Sequence, residues 1–532
     1  MRNIVFIGMP GSGKSAVGQI VARWLGWPLL DTDELVARRA GRSIAEIFAQ
    51  EGEPGFRRLE REAVRQVARA QRAVVATGGG VILNPDNMSD LRRRGWIVAL
   101  TADADVLLAR VGQDGGGRPL LAADPAGRMQ ALLAERAPRY AEADLVLDGT
   151  RPAEDLAREV LAALQRQAVE TVTVDLGERA YPVRVGDGIL DLLGWELRGR
   201  FPGGQAVVLT HPRLAIRFGA RVERVLGAAG FTRVAVAVPE GERSKSLRRA
   251  AAVIDQMAAA GIDRSGIVIA LGGGVIGDLA GFIAGTYMRG LALVQVPTTL
   301  LAQVDSAIGG KAAVNHPRAK NLIGVFHQPA LVLADVDAVR ALGVREVRSG
   351  LAEVIKYGMA CDAEVLAFVE SHLEALLRRE SEALVRCVRS CAAVKARIVA
   401  EDERERGPRR LLNYGHTVGH ALEITAEGAL AHGEAIAVGM QVEARLAERL
   451  GLAPAETVER QETLLRRAGL PTRVPADGPP DAAILEAIRL DKKVQRGEWR
   501  FTLVREPGRG VIDQVVPEAL VREVLAACRA SS

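Results

Sequence analysis

The sequence predicts an α/β protein built as two consecutive units. The first is a parallel sheet with helices on both faces; the second is an α/β nucleotide-binding lobe running into an all-helical lobe. Three observations carry that expectation. Short β-type runs alternate with helical patterns over residues 1–150 and again over 171–335, the pattern of a sheet covered by helices. Two glycine-rich turns, at 8–15 and 272–278, each follow a β run and open a helix, a common setting for a phosphate. Beyond 336, long stretches rich in Ala, Leu, Arg and Glu show helical spacing.

The chain has 532 residues, too many for one domain at roughly 100–200 residues each. Its 48% hydrophobic and 25% charged residues are an ordinary globular mix, and with only 4% aromatics the cores must be built from Ala, Val, Leu and Ile. Cys361, Cys387, Cys391 and Cys528 follow no regular spacing and make no disulfide framework. The first residues run straight into Asn3-Ile4-Val5-Phe6-Ile7-Gly8 without a signal peptide. The least charged stretch, 266–288, holds one acid and seven glycines, too punctuated for a membrane span. A cytoplasmic protein without membrane partners is therefore expected, and a net charge of +5 argues against nucleic acid as a partner. Of the 70 basic residues, 8 are lysine and 62 arginine. Lys14, Lys245, Lys311, Lys320, Lys356, Lys395, Lys492 and Lys493 all avoid the Arg-rich helical stretches 55–72 and 374–386, unlike ordinary solubilising charges, which makes their positions informative.

In chain order, β runs at 4–7, 73–76, 97–100 and 145–147 make the first sheet, and an amphipathic helix over 152–167, with Pro152 at its start, closes the unit. A fresh β pattern at 171–174 places the boundary near 168, giving expected domains of 1–168, 169–335 and 336–532.

Gly8-Met9-Pro10-Gly11-Ser12-Gly13-Lys14-Ser15 fits G-x-x-x-x-G-K-S between a strand and a helix. Its glycines let backbone N–H groups curl around phosphates, Lys14 reaches β/γ oxygens and Ser15 can ligate Mg²⁺. Asp31-Thr32-Asp33 ends the next β run, Phe56-Arg57 and Glu60 sit at a helix start, Thr77-Gly78-Gly79-Gly80 follows a strand, and Arg136 lies in a later helical pattern. Two arginines and bare glycine N–H groups suit a small anionic, hydroxylated acceptor. With Arg118-Pro119-Leu120-Leu121 and Glu135-Arg136-Ala137-Pro138-Arg139-Tyr140 in order, residues 1–150 resemble shikimate kinase. The resemblance implies ATP on Gly11, Ser12, Gly13, Lys14 and Ser15, with Mg²⁺ at Ser15, and shikimate on Asp33, Arg57, Gly79, Gly80 and Arg136. It also implies a lid over 112–124 hinged on Gly115-Gly116-Gly117, which brings in Arg118; Lys14, Asp33 and Arg118 would carry the catalysis by positioning and charge.

In the second half, Gly272-Gly273-Gly274-Val275-Ile276-Gly277-Asp278 sits between Pro239-Glu240-Gly241-Glu242-Arg243-Ser244-Lys245 and Val296-Pro297-Thr298-Thr299, ahead of a polar stretch with Asp305, Lys311, Asn315, Lys320 and Asn321. Two rare lysines there point to a phosphorylated or carboxylated ligand. Three of the seven histidines, His416, His420 and His432, fall within 17 residues. His416 and His420 share a helix face, so spacing alone would pair those two as metal ligands and does not settle the set.

With Tyr287-Met288-Arg289-Gly290, Glu353 through Lys356, Lys395, Arg409 through His420, His432-Gly433-Glu434 and Asp491-Lys492-Lys493, residues 170–532 resemble 3-dehydroquinate synthase. The resemblance implies Zn²⁺ or Co²⁺ on Glu353, His416 and His432. NAD would lie along Glu240, Gly241, Glu242, Lys245, Gly273, Gly274, Val275, Ile276, Gly277, Asp278, Thr298, Thr299, Lys311 and Lys320. The substrate, 3-deoxy-D-arabino-heptulosonate 7-phosphate, would meet Arg289, Asp305, Lys311, Asn321, Lys356, Lys395, Arg409, Asn413, His420 and one of Lys492 and Lys493. Lys311, Lys356, Lys395 and His420 are the implied catalytic residues, and a homodimer through this half is the implied assembly. Two departures touch the NAD contacts: Ala341-Leu342-Gly343 stands where the family usually has Thr-Leu-Pro, and Thr210-His211-Pro212 where an acidic or amide residue is usual. A related sugar-phosphate cyclase, a metal-dependent polyol dehydrogenase, or a silent regulatory module in one half are the alternatives.

Overall fold

The computed structural model describes residues 1–112, 124–317, 319–489, 494–495 and 498–530. It forms two compact units: 1–168 with 191–203 and 221–230, and 169–190 with 204–220 and 231–532. Among the described residues no helix is long and apolar enough to cross a membrane.

The first unit is a five-stranded sheet of β1 (Asn3–Gly8), β2 (Leu29–Asp31), β3 (Val74–Ala76), β4 (Gly95–Thr101) and β5 (Leu145–Asp148), in the order β2-β3-β1-β4-β5. Every pairing is parallel. β1 is buried along its whole length, which explains a continuous apolar run rather than an alternating one. The helix Ile44–Val67 is interrupted at Gly52 (φ 67) beside Pro54, so a fresh helical start precedes Phe56, Arg57 and Glu60. Two segments beyond the expected boundary at 168 count with this unit. Trp195 stacks on Trp24 at 5.8 Å between ring centroids, and buried Asp191 pairs with Arg221 and, at 3.5 Å, with Arg72.

The second unit contains β6 (Val169–Val174), β7 (Tyr181–Gly186), β8 (Gly204–Thr210), β9 (Phe231–Ala237), β10 (Ile267–Gly272), β11 (Ala292–Pro297), the hairpin β12 (Lys311–His316) and β13 (Ala319–Phe326), and β14 (Leu331–Asp335). Its main sheet runs β6-β7-β14-β11-β10-β8-β9, parallel except between β6 and β7. The chain reverses its direction of travel across the sheet between β8 and β10, so their carboxyl ends form a switch point. There the Thr210 hydroxyl donates to Leu271 O at 2.8 Å, beside the 272–274 turn.

The lobe beyond 336 is mainly helical, but the expectation of an all-helical lobe is corrected by an antiparallel sheet of β15 (Val494–Gln495), β16 (Glu498–Glu506) and β17 (Arg509–Val515). In β16, Trp499, Phe501 and Leu503 alternate along the strand into an apolar cluster with Val442, Leu446 and Val524, and this period of two overrides helix. The central helix Val344–Ala360 is buried at every position from 349 to 360; it is the element that carries Glu353 and Lys356 into the core.

Candidate active sites

In the first unit the turn after β1 has Gly11 and Gly13 at φ 80 and 94, conformations that L side chains rarely adopt. Lys14 opens the helix Lys14–Leu25 and donates to Gly8 O at 3.0 Å and Met9 O at 2.8 Å, placing its ammonium over the loop. Ser12 Oγ is buried with no hydrogen-bond partner among the described residues. Ser15 Oγ donates to Asp31 Oδ2 at 3.0 Å, while Asp31 Oδ1 accepts from Asp33 N at 2.9 Å and so caps the helix Thr32–Ala40.

The triple glycine forms the floor of an adjacent bay. A Cβ on Gly78 would stand 2.5 Å from Asp33 Oδ1, one on Gly79 2.9 Å from Pro10 Cδ, and one on Gly80 2.3 Å from Arg57 Nη1. Arg136 donates to Gly79 O at 3.1 Å and keeps a buried Nε without partner among the described residues. Arg57 is held by Glu60 at 2.9 Å and Glu53 at 2.8 Å. Burial raises the Glu60 carboxyl against the pull of Arg57. Asp33, Arg57, Gly79, Gly80 and Arg136 therefore gather beside the phosphate loop, with two guanidinium groups fitted to an anion. Arg118 and the expected lid fall outside the described residues, apart from the ends at Gly112 and Asp124. Arg110, which braces the loop through Gly149 O at 2.7 Å and Gly11 O at 3.3 Å, carried no sequence signal beyond its helix.

In the second unit, Glu353 from the central helix meets His416 from His416–Thr425 and His432 from His432–Arg449. Glu353 Oε1 lies 3.6 Å from His416 Nε2 and 3.4 Å from His432 Nε2, and Lys356 pairs with Oε2. One ligand atom from each of Glu353, His416 and His432 falls within 4.8 Å of the others. His416 Nδ1 is 3.0 Å from Tyr414 O, a pure acceptor, so that nitrogen carries the proton and Nε2 presents a lone pair. Lone pairs facing a buried carboxylate require a cation between them; the residues present fit a metal with three protein ligands. Burial, with Lys356 nearby, keeps His416 well below the usual range and hence neutral. Burial opposes charge on His432 too, yet hydrogen bonds to Glu353 and Glu423 push it up to about 10, a proton standing where a metal would bind.

His420 faces the same cluster, its ring 5.0 Å from His416 and 6.1 Å from His432. With Glu423 and His432 it makes a second group of close donor atoms. The pairing suggested by spacing alone is thus present in space, but Glu353 joins His416 and His432.

Asp305 joins Lys395 Nζ at 2.5 Å and the Tyr357 hydroxyl at 2.7 Å. Burial pulls Lys395 down to about 8, against the raising effect of Asp305, while Lys395 and Lys356 hold the Asp305 carboxyl well below its usual range despite burial. Lys311 pairs with Glu405, whose other oxygen accepts from Asn413 at 2.9 Å. Arg409 donates to Gly309 O at 2.9 Å; a Cβ on Gly309 (φ 93) would stand 2.6 Å from that guanidinium. Lys320 bonds Glu423 at 2.9 Å, and Asn321 N bonds Asn315 Oδ1 at 2.9 Å. Arg289 adopts φ 69 and makes no ion pair among the described residues.

At the switch point Gly273 caps the helix Gly274–Thr286, and a Cβ on it would stand 3.0 Å from Thr299. Thr298 N bonds Gly272 O at 3.0 Å, and Lys245 pairs with Asp278. Glu242 reaches Asn315 at 2.7 Å, and Glu240 reaches Arg213 at 3.4 Å. Gly241 (φ 101) has open space where a Cβ would point. Val275 is half-buried and Gly277 packs on Gln295, while Ile276 is buried in the core, so its side chain is not offered to a ligand. Lys492 and Lys493 lie outside the described residues.

Sequence reasoning missed Glu423, Glu405 and Glu443. Glu423 stood at i+7 from His416, on the same helix face. Glu443, fully buried, accepts from Gly415 N at 2.6 Å and Thr417 N at 3.1 Å, anchoring the helix start that carries His416. Glu405, in a run of alternating charges, gave no signal.

Fold and sites together set out two units in one chain, one with a phosphate-loop geometry and one with a cluster that could hold a metal beside a nucleotide-type sheet. A shikimate kinase family model matches residues 10–165, and 3-dehydroquinate synthase N-terminal and C-terminal models match 235–349 and 350–494. A 3-dehydroquinate synthase of Pelotomaculum thermopropionicum is 48% identical over 361 residues, covering 68% of this chain and 97% of that protein. Among solved structures, a 2-deoxy-scyllo-inosose synthase with carbaglucose-6-phosphate, NAD⁺ and Co²⁺ matches with a TM-score of 0.63 at 26% identity, covering 68% of this chain and all (100%) of that one. A 2-epi-5-epi-valiolone synthase from Streptomyces hygroscopicus subsp. jinggangensis, with NAD⁺ and Zn²⁺ bound, gives 0.61 at 26% identity over 65% of this chain and 96% of that one. The chain belongs to the 3-dehydroquinate synthase family and carries a shikimate kinase domain ahead of it: it is a bifunctional enzyme.

Proposed function

We propose that the first unit phosphorylates shikimate with ATP and Mg²⁺, and that the second converts 3-deoxy-D-arabino-heptulosonate 7-phosphate to 3-dehydroquinate with release of phosphate. The observation that carries the second half is the meeting of buried Glu353 and His416 with the partly exposed His432, beside buried Lys356. When bound there, Zn²⁺ or Co²⁺ supplies polarisation of a substrate hydroxyl, and NAD supplies uptake and return of a hydride. Lys356, Lys395, Arg409, Lys311 and Asn413 would supply the cations and donors for a substrate with both a phosphate and a carboxylate; Asp305 holds Lys395, and His420 would exchange a proton. The NAD phosphates would approach the 272–274 turn and the helix start behind it. In the first unit Lys14, Ser12 and Ser15 would hold ATP and Mg²⁺, while Asp33, Arg57 and Arg136 orient shikimate, with Arg118 closing on the phosphates. Small molecules are the proposed partners, with a homodimer through the second unit.

Phosphate release from the seven-carbon substrate and ADP release with shikimate, assayed on one sample, test both activities. Chelation is expected to abolish the first and, with Mg²⁺ restored in excess, spare the second. NADH accumulating with turnover would instead identify a dehydrogenase.

A further inference from the structure

We propose that Glu423 is a positioning residue for the metal site, fixing the ring of His432 as a ligand and tying it to Lys320 on the β12–β13 hairpin. This rests on the reading of Glu353, His416 and His432 as metal ligands. Glu423 follows His416 by seven residues and His420 by three on the helix His416–Thr425, so the three side chains share a face. Its Oε2 stands 3.2 Å from His432 Nδ1, while His432 Nε2 stands 3.4 Å from Glu353 Oε1. The ring is therefore held at both nitrogens by carboxylates from different helices. A carboxylate at this site only accepts, so Nδ1 keeps its proton, and a metal that takes the place of the Nε2 proton beside Glu353 would meet the lone pair of a ring already fixed from behind.

The other Glu423 oxygen, Oε1, accepts from Lys320 Nζ at 2.9 Å. Lys320 sits on β13, whose start is fastened by Asn321 N to Asn315 Oδ1 at 2.9 Å and by Asn315 Nδ2 to Glu242 Oε1 at 2.7 Å. A continuous set of polar contacts thus runs from the hairpin to the metal-facing ring. Lys320 is 39% exposed and Glu423 only 19%, so solvent weakens the lysine pair, and the contact with His432 carries most of the effect. Glu353 cannot replace it, because it faces the opposite ring nitrogen.

Full-length Glu423→Gln, His416→Ala and the parent are compared by competition for Co²⁺ with a chromophoric chelator, and by the visible absorption of the Co²⁺ forms. Glutamine keeps the size but loses the charge that holds Lys320 and pins Nδ1–H. The expected result is metal binding weaker by roughly 10–100-fold in Glu423→Gln, with a changed Co²⁺ spectrum, while ADP release with shikimate is unaltered. Glu423→Asp, which keeps the charge but shortens the reach, is expected to fall between parent and Gln. Deficient His416→Ala with Glu423→Gln and Glu423→Asp both within about threefold of the parent and spectrally unchanged, even if less heat-stable, overturns the proposal for Glu423 alone. His416→Ala binding like the parent overturns the ligand reading and the proposal with it.

Discussion

The phosphate loop and the metal cluster hold charge by opposite means. In the first unit the proposed phosphate-holding groups come from consecutive residues 8–15, and Lys14 rests on carbonyl oxygens. In the second, Glu353, Lys356, His416 and His432 are gathered from three helices, and Glu353 and Lys356 are buried to 0% and 1% exposure. A site made of contiguous backbone stands or falls with its local turn. A site made of buried charges depends on every partner, because removing one strands the others in a medium that solvates them poorly.

The largest effect should therefore come from Glu353→Gln. It removes a proposed ligand and leaves the Lys356 ammonium buried without its carboxylate, a change costing about 3–5 kcal/mol for a broken buried pair. Phosphate release from the seven-carbon substrate should fall to background, and thermal unfolding of the second unit should shift down, while ADP release with shikimate stays at the parent level. Retained phosphate release would show that the cluster is not where that chemistry occurs.

Lys356→Arg asks a finer question, since it keeps the charge. Lys356 follows Glu353 by one helical turn and is fully enclosed. The longer, forked guanidinium cannot occupy the place of a compact ammonium there. Synthase turnover should fall by a factor on the order of 10², the scale of catalytic groups misplaced by about 1 Å. A variant within about threefold of the parent would refute both the placement and the argument from lysine scarcity.

The contrast between the sites also explains what was legible in the sequence. The turn at 8–15 could be read directly from its spacing; so could four of the five parallel strands of the first sheet, the central one of which is a continuous buried apolar run. The lysines stood out by composition, and the structure pairs Lys245, Lys311, Lys320, Lys356 and Lys395 with carboxylates. Glu353 and His432 stood among the metal-ligand candidates around the histidine cluster, but their choice over His420 came only through resemblance, since no local spacing joins residues of different helices, and spacing by itself favoured His416 with His420. Glu405 and Glu443 were invisible because their contacts are set by tertiary packing. The sheet around Trp499 was overlooked in an otherwise helical region although its alternation was present. Residues 191–203 and 221–230 joining the first unit could not be read at all, since that depends on Trp195 meeting Trp24.

A smaller effect, dependent on pH, should separate the units again. Burial brings Lys395 to about 8, below its ordinary value near 10.4. The ammonium is thus present at neutral pH and lost as pH rises through about 8, so synthase kcat/KM should fall up to about tenfold per pH unit above that point. Between about 8 and about 10.4 the unfolded chain still holds this proton while the folded chain has released it, so this group favours folding as pH rises through that window. The fall in rate therefore should not coincide with unfolding from this cause. Lys395→Gln should be slow throughout and lack that limb of the profile; a profile flat to pH 10 in the parent would exclude Lys395 from the anion site.

The smallest expected effect probes whether the first unit is as self-contained as its contiguous loop implies. Its five strands and described motif residues lie within 1–168, so a fragment ending there should fold and phosphorylate shikimate. Yet the helix that begins with Lys14 ends against Trp195, whose ring stacks on Trp24, and Arg198 lies 5.2 Å from the Trp24 ring centroid. Trp195 Nε1 also donates to Gln165 at 3.3 Å, on the helix Ala153–Ala168 that closes the fragment. Trp195→Ala in the full chain removes a half-buried aromatic contact worth about 2 kcal/mol. The midpoint for heat inactivation of the kinase should drop by roughly 4–8 °C, with the room-temperature rate within about twofold of the parent because the phosphate loop itself is untouched. The fragment should show a drop at least as large. An unchanged midpoint in both would mean that 1–168 is energetically complete; a lost room-temperature rate in Trp195→Ala would mean that the phosphate loop depends on distant packing as strongly as the metal cluster does.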